Sequence, residues 1–144
     1  MVHIQRFDHV GITVADLDNV INFFVTLGLE VEGRMFIEGE FLDTVIGIPG
    51  SRTEIAMLRS PDGGTAIELS SFVRPQHVPG SPEAMANELG IRNVAFEVTD
   101  VQAAVDAVGY DLIGAVGQYE NLWKMAYVRG PEGIILSLAQ RMTS

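Results

Sequence analysis

The sequence predicts an α+β fold built from two tandem β-α-β-β-β modules. Three observations carry the prediction. First, residues 7–24 change hydrophobic period within one stretch. Val10, Ile12 and Val14 alternate with His9, Gly11 and Thr13, the period of two of a half-buried strand. Leu17, Val20, Ile21 and Phe24 then recur at i, i+3, i+4 and i+7, one face of a helix. Second, the same pattern returns 84 residues later: Val94 matches Val10, Val98 matches Val14 and Asp100 matches Asp16, while Val101, Ala104, Val105 and Val108 match the helical stripe. Third, the ends of the halves match. Residues 55–63 (IAMLRSPDG) align with 125–133 (MAYVRGPEG), and Ile67-Glu68-Leu69 aligns with Leu136-Ser137-Leu138.

Each element has a local reason. Asp16 or Asp18 caps the first helix, since a carboxylate there accepts from the free N–H groups of the first turn, and Gly28 stops it. Residues 29–37 read as a strand, 38–40 as a turn and 41–50, ending in Pro49-Gly50, as a helical turn and loop. Residues 53–59 and 65–72 are strands joined by the turn Ser60-Pro61-Asp62-Gly63-Gly64. Pro75 and Pro79 mark a linker. Ser81 as cap, Pro82 in the first turn and Gly90 as stop predict a short helix over 81–90. The second half reads as strand 91–99, helix 101–108 and strands 112–119, 123–129 and 134–139. The modules span residues 1–73 and 91–144, with a linker at 74–90.

Composition narrows the function. Nine Lys and Arg face 19 Asp and Glu, a net charge of -10, which repels phosphate backbones and excludes nucleic acid as the expected partner. No apolar run approaches ~18 residues, so no membrane span is expected. The N-terminal residues lack the apolar core of a signal peptide, and the chain has no Cys, which removes disulfides, thiolate metal sites and a cysteine nucleophile. A cytoplasmic protein is the expectation.

Strand parity locates the candidate chemistry. With Val10, Ile12 and Val14 under the helices, His9, Gly11 and Thr13 face away. Glu68 lies between Ile67 and Leu69 and takes the non-helix face. In the second copy that face holds Asn93, Glu97 and Ser137. If the sheet curls, these residues converge on a polar cleft.

The residues carrying these positions resemble a known family. Asp8-His9-Val10-Gly11-Ile12 opening a strand-helix unit, Ala66-Ile67-Glu68-Leu69, and residues 129–136 (RGPEGIIL), with the duplication, are similar to the vicinal oxygen chelate superfamily. That superfamily includes glyoxalase I, methylmalonyl-CoA epimerase, extradiol dioxygenases, fosfomycin resistance proteins and bleomycin-binding proteins. The resemblance implies a glyoxalase-like curled mixed sheet forming a U-shaped cleft, and a homodimer. It also implies a divalent metal (Zn, Ni, Mn or Fe) held by the first and last strand of each copy. Those positions are His9, Glu68, Asn93 and Ser137. Imidazole and carboxylate suit such an ion. The amide and hydroxyl of the second copy are poorer donors, so the resemblance implies an ion weakly held or absent, with His9 and Glu68 as its ligands.

Each of these residues also has an ordinary role. His9 is a ligand or a histidine kept for the fold. Glu68 is a ligand and proton carrier or a solvent-facing strand residue. Glu97 is a second proton carrier or a solvated residue. Asn93 and Ser137 line the cleft and hydrogen-bond to substrate. Trp123 and Tyr127, on one strand face with Met125, are core or an aromatic wall for a ligand. Three functions remain in view, the first two being a small-molecule isomerase or lyase related to lactoylglutathione lyase and a metal-free, bleomycin-resistance-like sequestering protein. A noncatalytic partner domain is the third.

Overall fold

A computed structural model describes residues 2–143. The chain divides into two compact units, one ending at Pro79 and the other starting at Gly80. Unit 1 contains β1 (His9–Thr13), α1 (Leu17–Leu27), β2 (Glu30–Glu38), α2 (Glu40–Ile46), β3 (Arg52–Arg59) and β4 (Ala66–Arg74). Unit 2 contains β5 (Asn93–Glu97), α3 (Val101–Val108), β6 (Gly117–Tyr119), β7 (Trp123–Arg129) and β8 (Ile135–Arg141). The sheets run β1-β4-β3-β2 and β5-β8-β7-β6. In each, the first strand lies parallel to the last and the other pairs are antiparallel.

The duplication holds down to register. Val10 pairs with Ile67 and Gly11 with Glu68; Val94 pairs with Leu136 and Ala95 with Ser137. The caps repeat too. Asp16 accepts from the Asn19 N–H at 3.1 Å, and Asp100 accepts from the Ala103 N–H at 3.0 Å. These bonds satisfy one of the free donors of each first turn. Gly28 and Gly109 end the two helices at positive φ, where a side chain is disfavoured.

Each unit buries one sheet face under its helix. In unit 1, Leu17, Val20, Phe23 and Phe24 of α1 are buried, as are Ala56, Leu58, Ile67 and Leu69 on the strands. In unit 2, Val101, Val105 and Val108 are buried with Ala126, Val128, Leu136 and Leu138. Burial of each such Leu, Val or Phe stabilises by roughly 1.5–3 kcal/mol. The opposite faces carry the polar residues.

Four sequence expectations change. Phe23, edge-on to Phe24 at 5.1 Å, is buried in the stripe where Ile21 was expected, and Ile21 is half-buried. Residues 40–46 form a full helix rather than a single turn. It is anchored beyond its end by Asp43, which accepts from the Gly50 and Ser51 N–H groups. Residues 81–90 form no helix. Two separate turns replace it, closed by Ala84 N–H to Ser81 O and Glu88 N–H to Met85 O. The capping residues were in place, but Leu89 and Met85 are exposed, so no buried stripe supports a helix. The strand expected at 112–119 is broken. Leu112 forms an isolated bridge to Val128, and pairing resumes only at Gly117. Gly114 and Gly117 in this stretch offer no side chain to hold a strand against its neighbour. No helix is long and apolar enough to cross a membrane among the described residues.

Candidate functional site

The open face of the unit 1 sheet is read from its register. One cross-strand row runs Gly11, Glu68, Met57, Gly33. A Cβ placed on Gly11 or Gly33 would meet no atom within 4 Å, so the space on either side of Glu68 and Met57 is open. His9 sits in the neighbouring row beside Ala66. Alternation puts His9 and Glu68 on one face, and their side chains meet there: His9 Nε2 lies 3.6 Å from Glu68 Oε2. Both are partly exposed, at 34% and 26% of their side-chain surface, so the pair is reachable from solvent. The Ser70 hydroxyl lies 3.5 Å from the other Glu68 oxygen.

Asp8 was not singled out by the sequence reading. Its Oδ2 lies 2.7 Å from His9 Nδ1, and its Oδ1 lies 2.8 Å from Arg6 Nη2. The hydrogen bond to His9 holds the Asp8 carboxyl below its usual range; partial desolvation opposes this and the Arg6 charge adds to it. Asp8 can accept from an Nδ1–H of His9, the tautomer that leaves a lone pair on Nε2. The proton then sits on Nδ1 and the Nε2 lone pair faces Glu68. Two lone-pair donors facing each other across 3.6 Å suit a cation between them. Two ligands of a tetrahedral ion at ~2.1 Å stand roughly 3.4 Å apart, so the pair fits two positions of a divalent ion, with Asp8 orienting the imidazole. Among the described residues, no group of three or more His, Cys, Asp or Glu is gathered for a metal. The strong donor set of unit 1 is therefore His9 and Glu68.

In unit 2 the corresponding row runs Ala95, Ser137, Tyr127. Ser137 is buried, with 4% exposure. Asn93, in the place of His9, lies with its Nδ2 3.4 Å from the Tyr127 hydroxyl. The structure thus brings Asn93 and Tyr127 together and seats Ser137 beside Tyr127. Glu97 is exposed, and its carboxylate lies 3.7 Å from Arg141 Nε. The Arg141 guanidinium stacks over Trp123 at 4.5 Å from the ring centre. Glu97 and Trp123 therefore gather around Arg141, rows away from Asn93. Trp123, Met125 and Tyr127 share one face, through their pairing with Arg141, Ala139 and Ser137.

A duplicated β-α-β-β-β fold with a His–Glu pair on the open face of its first sheet defines a class. The chain belongs to the Glyoxalase/Bleomycin resistance protein/Dioxygenase superfamily, whose sequence model matches residues 8–127. A glyoxalase family protein from Bacillus cereus is 41% identical, with a TM-score of 0.94 over 99% of this chain and 97% of that one. A glyoxalase I variant from Zea mays is 18% identical, with a TM-score of 0.66, and aligns with 96% of this chain but 45% of its own. A glyoxylase/bleomycin resistance protein/dioxygenase domain from Frankia is 17% identical, with a TM-score of 0.61 over 98% of each chain. These last two share the fold. No curated protein matches the chain.

Proposed function

We propose that the protein is a small-molecule isomerase or lyase of the glyoxalase type, with an incomplete ion-binding set centred on His9 and Glu68. The observation that carries this is the line of contacts from Asp8 through His9 to Glu68, 2.7 Å and 3.6 Å long, on an open sheet face. A divalent ion bound there would polarise adjacent oxygens of a substrate. Asp8 keeps the His9 proton on Nδ1. Glu68 takes the proton from the hydroxyl-bearing carbon of an α-hydroxycarbonyl and returns it to the former carbonyl carbon, while the hydroxyl proton passes to the former carbonyl oxygen, which is isomerisation. Glu97 is the alternative carrier, less available because of its ion pair with Arg141. In unit 2, Asn93, Ser137, Trp123 and Tyr127 are the residues this reading gives to ligand binding.

The homodimer and the cytoplasmic location belong to the same reading. The outer strand β2 presents nine residues with Val31, Met35 and Phe36 exposed, an edge that a second copy would cover. Modules at 1–73 and 91–144 joined by 74–90 are the matching division of the chain.

The second reading is a metal-free binding protein. It is favoured by the second copy, where a neutral amide and hydroxyl, Asn93 and Ser137, stand in the ligand positions. One experiment separates the two. Dialysed protein is titrated with Mn2+ by electron paramagnetic resonance, and a panel of small α-hydroxycarbonyl compounds in D2O is followed by proton NMR. The isomerase reading expects Mn2+ binding that His9→Ala and Glu68→Gln weaken by at least ~10-fold, with carbon-bound hydrogen exchange lost in Glu68→Gln. Ligand binding without Mn2+ uptake or exchange would establish the second reading instead.

A further inference from the structure

The duplication provides its own control for one arginine. Arg59 in unit 1 and Arg129 in unit 2 occupy the same place, at the end of β3 and of β7. Each donates through Nη1 to a carbonyl of the following turn, Arg59 to Gly64 O and Arg129 to Gly133 O. There the likeness stops. Arg59 Nε donates to Glu32 Oε2 at 2.8 Å, and that bond holds its guanidinium above the usual range. Glu32 directly follows Val31, which pairs with Leu58. In unit 2, Leu112 bridges Val128, the counterpart of Leu58, so the residue in the place of Glu32 is Ile113. Among the described residues, no carboxylate takes the place of Glu32 beside Arg129. Its second acceptor is the thioether of Met85, 3.5 Å from Nη2, and sulfur is a weak acceptor.

The surroundings change in the same direction. The residue in the place of Asp8 is Arg92, whose Nε is buried without a hydrogen-bond partner among the described residues. Glu88 pairs with its Nη1 at 3.2 Å. The Asp111 backbone carbonyl accepts from the Arg129 N–H at 2.9 Å. Where unit 1 has His9 and Glu68, unit 2 has the neutral donors Asn93 and Ser137. Asn93 and Arg129 flank Ile135 in one row, so guanidinium, amide and the Tyr127 hydroxyl share one end of the open face.

We propose that this end of unit 2, centred on Arg129 with Asn93 and Tyr127, is a recognition site for the carboxylate of a small organic acid. A guanidinium fork matches a carboxylate in two parallel hydrogen bonds, and a carboxylate outcompetes a thioether for it. With Arg92 paired to Glu88, the one guanidinium charge of Arg129, held by a carbonyl and a thioether, balances a monoanion rather than a dianionic phosphate. The proposal rests on the reading that the chain handles small molecules, and names the chemical class that unit 2 takes.

The test uses the full chain at neutral pH with benzoate and its neutral isostere benzamide, reading the Arg129 Nε–H NMR signal. Benzoate is expected to shift that signal and benzamide to leave it in place. Arg129→Gln, and separately Ile113→Glu, which restores the copy-one pairing while keeping Arg129, are each expected to weaken benzoate at least ~10-fold. Arg59→Gln, which breaks the equivalent turn contact in the first copy, is expected to leave benzoate affinity unchanged. Equal binding of benzamide, undiminished benzoate binding in Ile113→Glu, or displacement of benzoate by a lower concentration of inorganic phosphate would overturn the proposal. Mn2+ uptake is read on the same wild-type sample. Failure of the ion reading then appears as benzoate binding without Mn2+, and failure of this one as the reverse.

Discussion

Replacing Asp8 with Asn tests whether the imidazole is held in one tautomer. Asp8 accepts from His9 Nδ1 at 2.7 Å and is itself held by Arg6 at 2.8 Å. An amide in its place is neutral and presents N–H groups as well as an oxygen. If its N–H turns toward Nδ1, the His9 proton moves to Nε2, where it points at Glu68 instead of leaving a lone pair for an ion. Outer partners of this kind change metal affinity by ~10–100-fold. Because the Asp8 side chain is 53% exposed, water competes for the same contact, and the expected loss of Mn2+ affinity lies near ~10-fold, the low end of that range. The assay is the Mn2+ titration, paired with 15N shifts of the His9 ring, which distinguish the two tautomers directly. The reasoning fails if wild-type His9 already carries its proton on Nε2, or if Asp8→Asn changes the tautomer and leaves Mn2+ affinity untouched.

Two further perturbations test a close approach and an ion pair. Gly133→Ala places a Cβ 2.3 Å from Pro82 O at a φ of +83°, so the chain near Pro82 must move. A loss of roughly 1–3 kcal/mol is expected in denaturant melts, with amide shifts around residues 81–83. Glu38 accepts from Arg74 at 2.6 Å, and that bond holds its carboxyl below the ordinary 4.5, against partial desolvation and with help from Arg52. A depressed folded value contributes stability above the unfolded value and loses it as pH falls through the folded one. The stability gap between wild type and Glu38→Gln should therefore narrow below about pH 4.5, and a gap that is flat from neutral pH through the acid range contradicts the pairing.

The parts of the fold that were legible in the sequence are those written in short-range physics. The change of period after Val14, the paired Asp16 and Asp100, and Gly28 closing α1 each act within a turn or two. Each is found where the pattern put it. Strand parity also carried His9 and Glu68 to one face, although they are 59 residues apart, because the period of two is strict inside a strand. Asp8 escaped the same logic. It precedes the first residue of β1, where alternation no longer sets direction, so adjacency to His9 could not be read as contact. The 81–90 helix was over-read, because cap residues also close isolated turns when no buried stripe lies between them. The loss of an acid beside Arg129 was hidden by the bulge at Glu32, which shifts the alignment of the two copies by a residue and leaves Ile113 looking like an ordinary strand position.

The two copies have diverged selectively. The positions that build the core keep their character: Leu58 and Val128, Ile67 and Leu136, Leu69 and Leu138 are all buried. The open faces do not. Asp8, His9, Glu32 and Glu68 of the first copy correspond to Arg92, Asn93, Ile113 and Ser137 of the second. An acidic surrounding has become a cationic and neutral one over an unchanged register. Stability does not require this, because the caps and cores that hold each unit are indifferent to it. Solubility does not select it either, since four changes at aligned positions of one sheet end would be a small adjustment to a chain carrying a net charge of -10. A division of labour accounts for it. An end rich in acid and imidazole suits cations and protons, and an end with an unmatched guanidinium suits an anion.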